Sequence, residues 1–358
     1  MRVLVRADAS VEIGTGHVIR CVTLAEELAR HQVEVAFACR HLPGHLLDWI
    51  QQKGFAAIAI PETHADDADA TIAATENWIG HQIIDWLIVD HYGLNMHWER
   101  KLRQKCQKIM VIDDLANRPH DCDLLLDQNV LEEQSKLYQA LLPSHCKQLL
   151  GPKYALLRPE FHQARAERNV DSHADSRKIL AFFGGSDPTG ECFKALEAFK
   201  LLPTDYLWEV DLVAGGSNPQ FEALQRIIQE LPQQVRLHRQ VSDMAHLMRQ
   251  ANISIGAGGT TTWERFCLGL PSLVIAVADN QVEISRNLAK NGYLLYLGQS
   301  SKVSASQLSQ ALWQLLNDAT QQQRLSEQSM ALVDGLGVKR VTEILCVSPA
   351  ALSDVPIP

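Results

Sequence analysis

Short apolar runs rich in β-branched residues alternate with longer segments of helical period, and this alternation limits the folds open to the chain. Such alternation is typical of parallel sheets whose strands are joined by helices. One helix is expected over residues 17–30, where Val18, Cys21, Val22, Ala25 and Leu28 share a face. Strands are predicted at residues 2–6, 33–39, 56–60, 86–90, 108–113, 124–127, 178–183, 208–213, 235–238, 253–256, 272–277 and 294–297. The sequence therefore predicts an α/β fold with a doubly wound parallel sheet in each half.

A polar stretch at residues 163–176 separates the two sets of strands. It lacks strand signal and is rich in Arg, Asp and His, so a domain boundary is predicted there. The expected domains are residues 1–165 and residues 177–358, two Rossmann-like domains facing across a cleft. The second has a helix-rich extension from about Val303, in which a helix could pack on either domain. The last dozen residues are expected to be a tail without chemistry.

Composition and charge exclude several classes of protein. The length of 358 residues suits two domains, and 46% apolar with 21% charged residues is ordinary globular composition. The net charge of −9, without a concentrated basic segment, argues against a nucleic-acid or anionic-membrane partner. It does not argue against a small anionic ligand, because a few N–H groups suffice for one phosphate.

Targeting and redox signals are also absent from the sequence pattern. Charged residues come too early for a signal peptide, and no run of about 18 apolar residues occurs, so a cytoplasmic protein is expected. The eight cysteines are scattered without a Cys-x-x-Cys pair. Most are expected to be reduced core residues.

The segment after the first predicted strand is the first candidate site, because doubly wound sheets bind ligands at the carboxyl ends of their strands. Residues 13–20 read Ile-Gly-Thr-Gly-His-Val-Ile-Arg, and Gly14 and Gly16 allow a ligand to approach the backbone closely. A dinucleotide fingerprint would need a third glycine where Ile19 stands and an acidic residue at the end of the second strand. Nicotinamide binding is therefore disfavoured.

His17 stands at the start of the helix that follows this turn. The positive end of the helix dipole disfavours the imidazolium form there, and a neutral histidine can accept a proton. The position therefore suits a general base. The alternative is that His17 only caps the helix or hydrogen-bonds within the loop.

A second glycine turn occupies residues 255–264, which read Ile-Gly-Ala-Gly-Gly-Thr-Thr-Thr-Trp-Glu. Small residues let backbone N–H groups meet a diphosphate, and threonine hydroxyls add donors. Glu264 could accept both hydroxyls of a ribose. The predicted nucleotide contacts are Gly258, Gly259, Thr260, Thr261 and Glu264. The alternative is a glycine turn that only closes a tight loop.

Two further turns follow predicted strands of the second half. Asn280 and Gln281 follow residues 272–277 and could hydrogen-bond a sugar or a leaving phosphate. They are equally suited to cap the next helix. The small-residue turn at residues 184–186 is a third candidate at the cleft.

These motifs together resemble a known family. Residues 6–10, Arg-Ala-Asp-Ala-Ser, followed by residues 13–21, are similar to the N-terminal signature of UDP-2,4-diacetamido-2,4,6-trideoxy-β-L-altropyranose hydrolase. This UDP-sugar hydrolase of pseudaminic acid biosynthesis is commonly called PseG. The similarity extends through residues 89–93, 127–129 and 154–161, the second glycine turn up to Glu264, and residues 279–281. It covers about residues 1–297, and its first motif is the most specific.

The resemblance implies a GT-B fold, as in the lipid II glycosyltransferase MurG, and a UDP-sugar substrate. It implies that water, activated by His17 in the first domain, displaces UDP from the anomeric carbon with inversion. The second domain would bind UDP, with Glu264 on the uridine side. The product would serve flagellin or surface-glycan modification. Substrate contacts are implied for residues in the matching motifs: Asp8, Gly14, Gly16, Tyr92, Asn129, Arg158, Asn280 and Gln281.

No metal or other cofactor is expected. UDP is a good leaving group, so no second carboxylic acid is required, in contrast to ordinary glycosidases. The Asp-x-Asp segments at residues 67–69 and 121–123 resemble metal–nucleotide motifs of a different glycosyltransferase fold but lack its context. His91, at a predicted strand end, is a secondary candidate.

Three other functions stay open. They are a GT-B glycosyltransferase, in which an acceptor hydroxyl replaces water, a UDP-sugar 2-epimerase, and a sensor that binds a UDP-sugar without turnover. A monomer is expected, with a small-molecule UDP-sugar as its partner.

Overall fold

The computed structural model describes residues 1–61, 66–80, 82–130, 134–167, 177–203, 208–216, 218–231 and 234–347. The chain forms two compact units. Unit 1 comprises Met1–Leu157 together with the chain from Leu336 onward, and unit 2 comprises Arg158–Gly335.

Unit 1 is built on one parallel sheet. Its strands are β1 (Arg2–Ala7), β2 (Glu34–Arg40), β3 (Ala56–Ile60), β4 (Ile84–Asp90), β5 (Cys106–Ile112), β6 (Leu124–Asp127) and β7 (Lys147–Leu150). Its helices are α1 (Gly16–Arg30), α2 (Leu47–Gln52), α3 (Asp67–Ile79), α4 (Met96–Leu102), α5 (Gln134–Leu137) and, at the far end of the chain, α14 (Gly337–Cys346). The strand order is β3-β2-β1-β4-β5-β6-β7, with parallel neighbours throughout.

Unit 2 repeats this plan. Its strands are β8 (Arg177–Phe182), β9 (Trp208–Ala214), β10 (Gln234–Arg239), β11 (Ile253–Ala257), β12 (Ser272–Ala276) and β13 (Leu295–Gln299). Its helices are α6 (Pro159–Ala166), α7 (Glu191–Lys200), α8 (Phe221–Ile228), α9 (Met244–Gln250), α10 (Thr261–Cys267), α11 (Asn280–Lys290), α12 (Ala305–Asn317) and α13 (Ala319–Leu332). The strand order is β10-β9-β8-β11-β12-β13, again parallel.

The predicted α/β fold class is confirmed, and every predicted strand is present within two residues of its expected bounds. The strands are apolar on both faces because each parallel sheet is covered by helices on both sides. In β1, for example, Val3 and Val5 belong to one core cluster and Leu4 to another. β7 was not predicted, because it has only four residues and begins with two polar ones at the edge of the sheet.

In each unit the strand order reverses beside the first strand of the sheet. β1 lies between β2 and β4, and β8 lies between β9 and β11. Connections leave on opposite faces at such a point, so a crevice opens at the carboxyl ends of the strands, where ligands of this architecture bind. The loops at these two points carry residues 14–17 and 90–92 in unit 1, and residues 184–186 and 258–259 in unit 2.

The division between the units differs from the predicted boundary at residues 163–176, of which 168–176 lie outside the described residues. Helix α6 already belongs to unit 2. Arg165 on this helix donates hydrogen bonds of 2.8–3.0 Å to the carbonyls of Cys267, Met330 and Val333. These bonds tie the polar segment to unit 2, so the boundary falls before Arg158 rather than after residue 165.

The chain end is divided between the two units, whereas the predicted second domain ran over residues 177–358 and left open that a helix of its extension packs on either domain. Helices α12 and α13 pack in unit 2, but α14 packs on α1 and on the turn at Pro152–Tyr154 in unit 1. Val341 and Leu345 of α14 are fully buried, and Trp86 Nε1 donates to the Leu345 carbonyl at 3.1 Å. The helix-rich extension is therefore shared between the units. The predicted C-terminal tail falls largely on residues 348–358, outside the described residues.

No helix in the described parts of the chain is long and apolar enough to cross a bilayer. The cysteines are free thiols, and all except half-buried Cys146 and exposed Cys346 are buried.

Candidate active site

The loop between β1 and α1 brings His17 to the carboxyl end of β1. Ser10 and Gly14 close this loop through paired backbone hydrogen bonds of 2.8 and 3.3 Å. Gly14 has a φ of +81°, which glycine adopts without strain. Helix α1 begins at Gly16, so His17 is its second residue, with a side chain that is 11% exposed.

Asp90, the last residue of β4, holds the His17 ring. His17 Nδ1 lies 2.6 Å from Asp90 Oδ1, and Arg20 donates to both oxygens of the same carboxylate at 2.6 Å. A carboxylate accepts from Nδ1 only when Nδ1 carries the proton, so in the neutral imidazole Nε2 carries the lone pair. No residue in the described chain hydrogen-bonds Nε2. This atom is therefore the proton acceptor that the site presents.

Charges around Asp90 keep it ionised. Burial alone would raise the pKa of Asp90, but the charge of Arg20 and the bonds from Arg20 and His17 outweigh burial and hold this pKa well below its usual range. Burial alone would lower the pKa of Arg20, but the charge of Asp90 and its hydrogen bonds raise this pKa above its usual value. The partner of His17 is therefore a carboxylate at every ordinary pH.

Tyr92 packs edge-on against His17, with ring centroids 4.7 Å apart and planes at 87°. Its hydroxyl donates to Asp114, which follows β5 and lies 3.9 Å from Arg20 Nη1. Burial, reinforced by the charge of Asp114, raises the pKa of Tyr92. Burial also raises the pKa of Asp114. Tyr92 thus stays a neutral phenol beside the imidazole.

Asp8, a predicted substrate contact, lies directly after β1 and is 1% exposed. Its oxygens accept from Arg6 at 2.6 and 3.0 Å and from the Arg40 N–H at 2.7 Å. The secondary candidate His91 places its Nε2 3.3 Å from the same carboxylate. Asp8 therefore stabilises the end of β1, and its contact with a substrate stays a prediction.

Asn129, another predicted contact, follows β6 at the same edge of the sheet and is half-buried. Its backbone N–H donates to Asp127 Oδ1 at 3.0 Å, and the hydroxyl of Tyr138 donates to Asp127 Oδ2 at 3.1 Å. Burial raises the pKa of Asp127 to about 7 despite these hydrogen bonds. The loop that carries Asn129 is thus anchored by a carboxyl group that titrates near neutral pH.

In unit 2, the glycine turn after β11 is braced by Gln281. Gln281 Oε1 accepts from the N–H groups of Gly258 at 3.2 Å and Val277 at 3.1 Å. A Cβ at Gly258 would lie 2.4 Å from Ser285 Oγ, so the turn approaches α11 as closely as only glycine permits. Gln281 therefore shapes the turn through its amide oxygen, a role that the sequence did not predict.

Arg158 and Glu264, predicted separately, come together in unit 2. Arg158 Nη2 lies 3.7 Å from Glu264 Oε1, and Nη1 contacts Glu160 at 3.0 Å and the Ser242 carbonyl at 3.3 Å. Burial raises the pKa of Glu264, although the charge of Arg158 opposes it. Glu264 is a partly exposed carboxylate held by one arginine, with capacity left to accept hydroxyl groups.

The other predicted residues of unit 2 lie at the starts of helices. Thr260 precedes α10 without a side-chain cap, and Thr261 is the first residue of that helix. Asn280 is the exposed first residue of α11, whose N-cap position is Asp279, so the capping interpretation of Asn280 is not observed. A cavity of about 190 Å³ opens here, lined by Thr189, Ala276, Val277, Ala278, Asp279, Gln299, Ser300 and Ser301.

The third small-residue turn, at residues 184–186, leads to Asp187, which precedes Gly190, the N-cap residue of α7. Asp187 has a φ of +47° and accepts from the N–H groups of Glu191 and Cys192 at 2.8 Å each. The turn therefore serves the start of α7.

Sequence reasoning missed Asp90, Arg20 and Asp114. Asp90 ends an apolar run within the segment 89–93, and this position at a strand end was the available signal. Arg20 stands three residues after His17, on the same helix face. Asp114 had no such signal, because its contact with Tyr92 depends on β4 and β5 being neighbours. Among the described residues, no three His, Cys, Asp or Glu side chains are grouped to hold a metal ion.

The fold is shared with solved glycosyltransferases. MurG of Acinetobacter baumannii superposes with a TM-score of 0.67 at 14% identity, covering 96% of this chain and 98% of that one. The spinosyn rhamnosyltransferase SpnG superposes with a TM-score of 0.65 at 18% identity, covering 96% of this chain and 100% of that one. Residues 179–341 match the glycosyltransferase family 28 C-terminal domain. The chain is therefore a GT-B protein made of two Rossmann-like units.

Two curated proteins are similar over nearly their whole lengths. The spore coat polysaccharide biosynthesis protein SpsG of Bacillus subtilis is 28% identical over 347 residues, which is 96% of this chain and 98% of that protein. The Campylobacter jejuni UDP-2,4-diacetamido-2,4,6-trideoxy-β-L-altropyranose hydrolase is 30% identical over 294 residues, which is 82% of this chain and 98% of that protein. The chain belongs to the family of this hydrolase.

Proposed function

We propose that this protein hydrolyses UDP-2,4-diacetamido-2,4,6-trideoxy-β-L-altropyranose to UDP and the free sugar. The family and the glycosyltransferase 28 domain support the broader class, an enzyme that acts on UDP-sugars. The observation that carries the specific reaction is the contact between His17 and Asp90 at the strand-order reversal of unit 1. It presents a proton acceptor of the kind that activates water.

In the proposed mechanism, His17 Nε2 accepts a proton from water while the water oxygen bonds to the anomeric carbon. The bond from this carbon to the UDP oxygen breaks, and its electron pair leaves with UDP. Asp90 stabilises the imidazolium that forms, because its carboxylate is already ionised and hydrogen-bonded to Nδ1. Attack on the face opposite UDP inverts the anomeric centre.

Unit 2 is proposed to bind UDP. Glu264 would accept the ribose hydroxyls, and the turn at residues 258–261 would donate backbone N–H and hydroxyl groups to the diphosphate. Arg158 would hold Glu264 in place, and Asn280 would contact the sugar or phosphates. In unit 1, Tyr92, which packs against His17, and Asn129 are proposed sugar contacts.

A glycosyltransferase is the second candidate, because the family 28 C-terminal domain matches 179–341. An acceptor hydroxyl would then replace water and lose its proton to the same His17. The two reactions differ in one observable: the hydrolase releases free sugar and UDP without any acceptor. A 2-epimerase would instead exchange hydrogen at C2 with solvent, and a sensor would bind without product.

Turnover of candidate UDP-sugars by wild-type protein and His17→Asn, followed by NMR, tests the proposal. We expect free sugar and UDP from the wild type without acceptor, and a turnover lower by about 10² to 10⁴ in the variant, with UDP affinity kept. His97→Asn, at an exposed histidine of unit 1, serves as the control and should retain full turnover. Near-normal turnover by His17→Asn would refute the base assignment.

A further inference from the structure

Arg265 is a buried charge that the proposed chemistry leaves unused. It follows Glu264 on α10 and is 2% exposed. Its Nη2 donates to the Ala257 carbonyl at 2.7 Å and to Thr262 Oγ1 at 2.9 Å. Its Nε is buried and has no hydrogen-bond partner among the described residues. The guanidinium is therefore incompletely satisfied by the protein.

The guanidinium lies directly against the glycine turn. A Cβ at Gly256 would lie 2.3 Å from Arg265 Nη1, so the absence of a side chain there makes room for the arginine. Ala257, whose carbonyl Arg265 holds, is the residue before Gly258. The charge thus sits behind the backbone that is proposed to receive the diphosphate.

No carboxylate in the described part of the chain forms an ion pair with Arg265. Burial lowers the pKa of Arg265 to about 10, and the charge of Glu264 offsets this only in part. Glu264 is itself held by Arg158. Burying a cation without a paired anion is unfavourable in the free protein, and groups perturbed in this way cluster at functional sites.

We propose that Arg265 is a positioning residue for the diphosphate of the UDP-sugar. Its charge attracts the anion to the turn at residues 258–261, and its bonds to Ala257 and Thr262 keep that turn in shape. The inference rests on the proposed UDP site of unit 2 and deepens it. It assigns recognition of the nucleoside diphosphate to a buried charge rather than to exposed lysines, consistent with the chain's net charge of −9.

Titrations of the full chain with uridine, UMP and UDP test this role in Arg265→Met and Arg265→Lys. We expect Arg265→Met to lose about 10- to 100-fold in UDP affinity, less in UMP affinity, and under about 3-fold in uridine affinity. Arg265→Lys, which keeps the charge, should retain most of the UDP affinity. A residue that only shapes the turn through its hydrogen bonds would give Arg265→Lys and Arg265→Gln, which both keep a donor, the same UDP affinity, whereas a role of the charge makes the lysine variant bind UDP more tightly.

The matched control is Arg165→Met, which removes another carbonyl-binding arginine of unit 2 away from the glycine turn. Its UDP affinity should stay within about 3-fold of wild type. If Arg265→Met does not fold, Arg265→Gln, which keeps a donor without the charge, should show the same selective loss.

The inference is overturned if an Arg265 variant without the charge loses equal affinity for uridine and for UDP, or if such a variant folds and keeps its UDP affinity. Either result leaves the proposed function standing. A wild-type protein that does not bind UDP would overturn both the inference and the proposed function.

Discussion

Replacing Asp90 with Asn changes one charge in unit 1 and almost no volume. The carboxylate accepts three hydrogen bonds of 2.6 Å, one from His17 Nδ1 and two from Arg20. An amide has one acceptor oxygen, so at least one of these donors must face the NH₂ group. If the NH₂ group turns to His17, Nδ1 becomes an acceptor and the proton moves to Nε2. The imidazole then no longer presents a base.

The expected loss of turnover is about 10² to 10⁴, since an Asp→Asn change that leaves geometry intact lowers kcat by about 10⁴ in Ser-His-Asp triads. Stability should fall too, because Arg20 stays buried and keeps only the more distant carboxyl group of Asp114, 3.9 Å from its Nη1. Breaking a buried pair in this way costs about 3–5 kcal/mol of unfolding free energy. UDP affinity, which depends on unit 2, should stay within about 3-fold.

Turnover followed by NMR, urea unfolding and UDP titration measure the three effects separately. Asp123→Asn is the control, because Asp123 is another buried aspartate of unit 1, paired with Arg103 and with Lys108 at 3.1 Å. It should lose stability and keep turnover. A folded Asp90→Asn protein with turnover within about threefold of wild type would show that Asp90 does not set the state of His17.

Three further perturbations test other parts of the structure. The folded pKa of Asp127, about 7, lies above the unfolded value of about 4. Its stabilising contribution is therefore full below pH 4 and lost as pH rises through 7. In urea unfolding, the unfolding free energy of the wild type should fall by up to about 1.4 kcal/mol per pH unit between pH 5 and 7. Asp127→Asn should not show this fall, and parallel pH profiles of the two proteins would contradict the prediction. Trp86→Phe should lower the unfolding free energy by about 1–3 kcal/mol, since the Leu345 carbonyl loses its donor. The loss should exceed that of Trp208→Phe, because the indole of Trp208 makes a longer hydrogen bond, 3.4 Å, to the Pro203 carbonyl. Equal losses would count against the bond between Trp86 and Leu345. Glu264→Gln should weaken UDP binding about tenfold, because the ribose hydroxyls lose a charged acceptor. Binding of 2′,3′-dideoxy-UDP, which lacks these hydroxyls, should weaken less. Calorimetry measures both affinities, and equal losses would show that the ribose contact is wrong.

The strands were predictable because their signal is local. An apolar run between helical segments identifies a strand wherever the chain later places it, and β1 and β8 both lie where expected. The destination of α14 was not predictable, because its apolar face suits either sheet. Packing with α1 and the bond from Trp86 to Leu345, 259 residues apart, decide it.

The candidate site was predictable only in part, for a similar reason. His17 and Glu264 follow glycine turns, and such turns can be recognised along the sequence. Asp90 stands 73 residues from His17, and only the pairing of β1 with β4 brings the two together. Arg265 was passed over because its neighbour Glu264 carried the expected chemistry, and burial cannot be read at a single position.

Hydrolysis in H₂¹⁸O tests the central claim, that the protein directs water to the anomeric carbon. Wild-type protein with UDP-2,4-diacetamido-2,4,6-trideoxy-β-L-altropyranose and no acceptor should release free sugar carrying ¹⁸O at the anomeric carbon. The first-formed anomer should be inverted, and the UDP should carry no ¹⁸O. Label in the UDP phosphate, a retained anomer, or no sugar release without an acceptor would contradict the account.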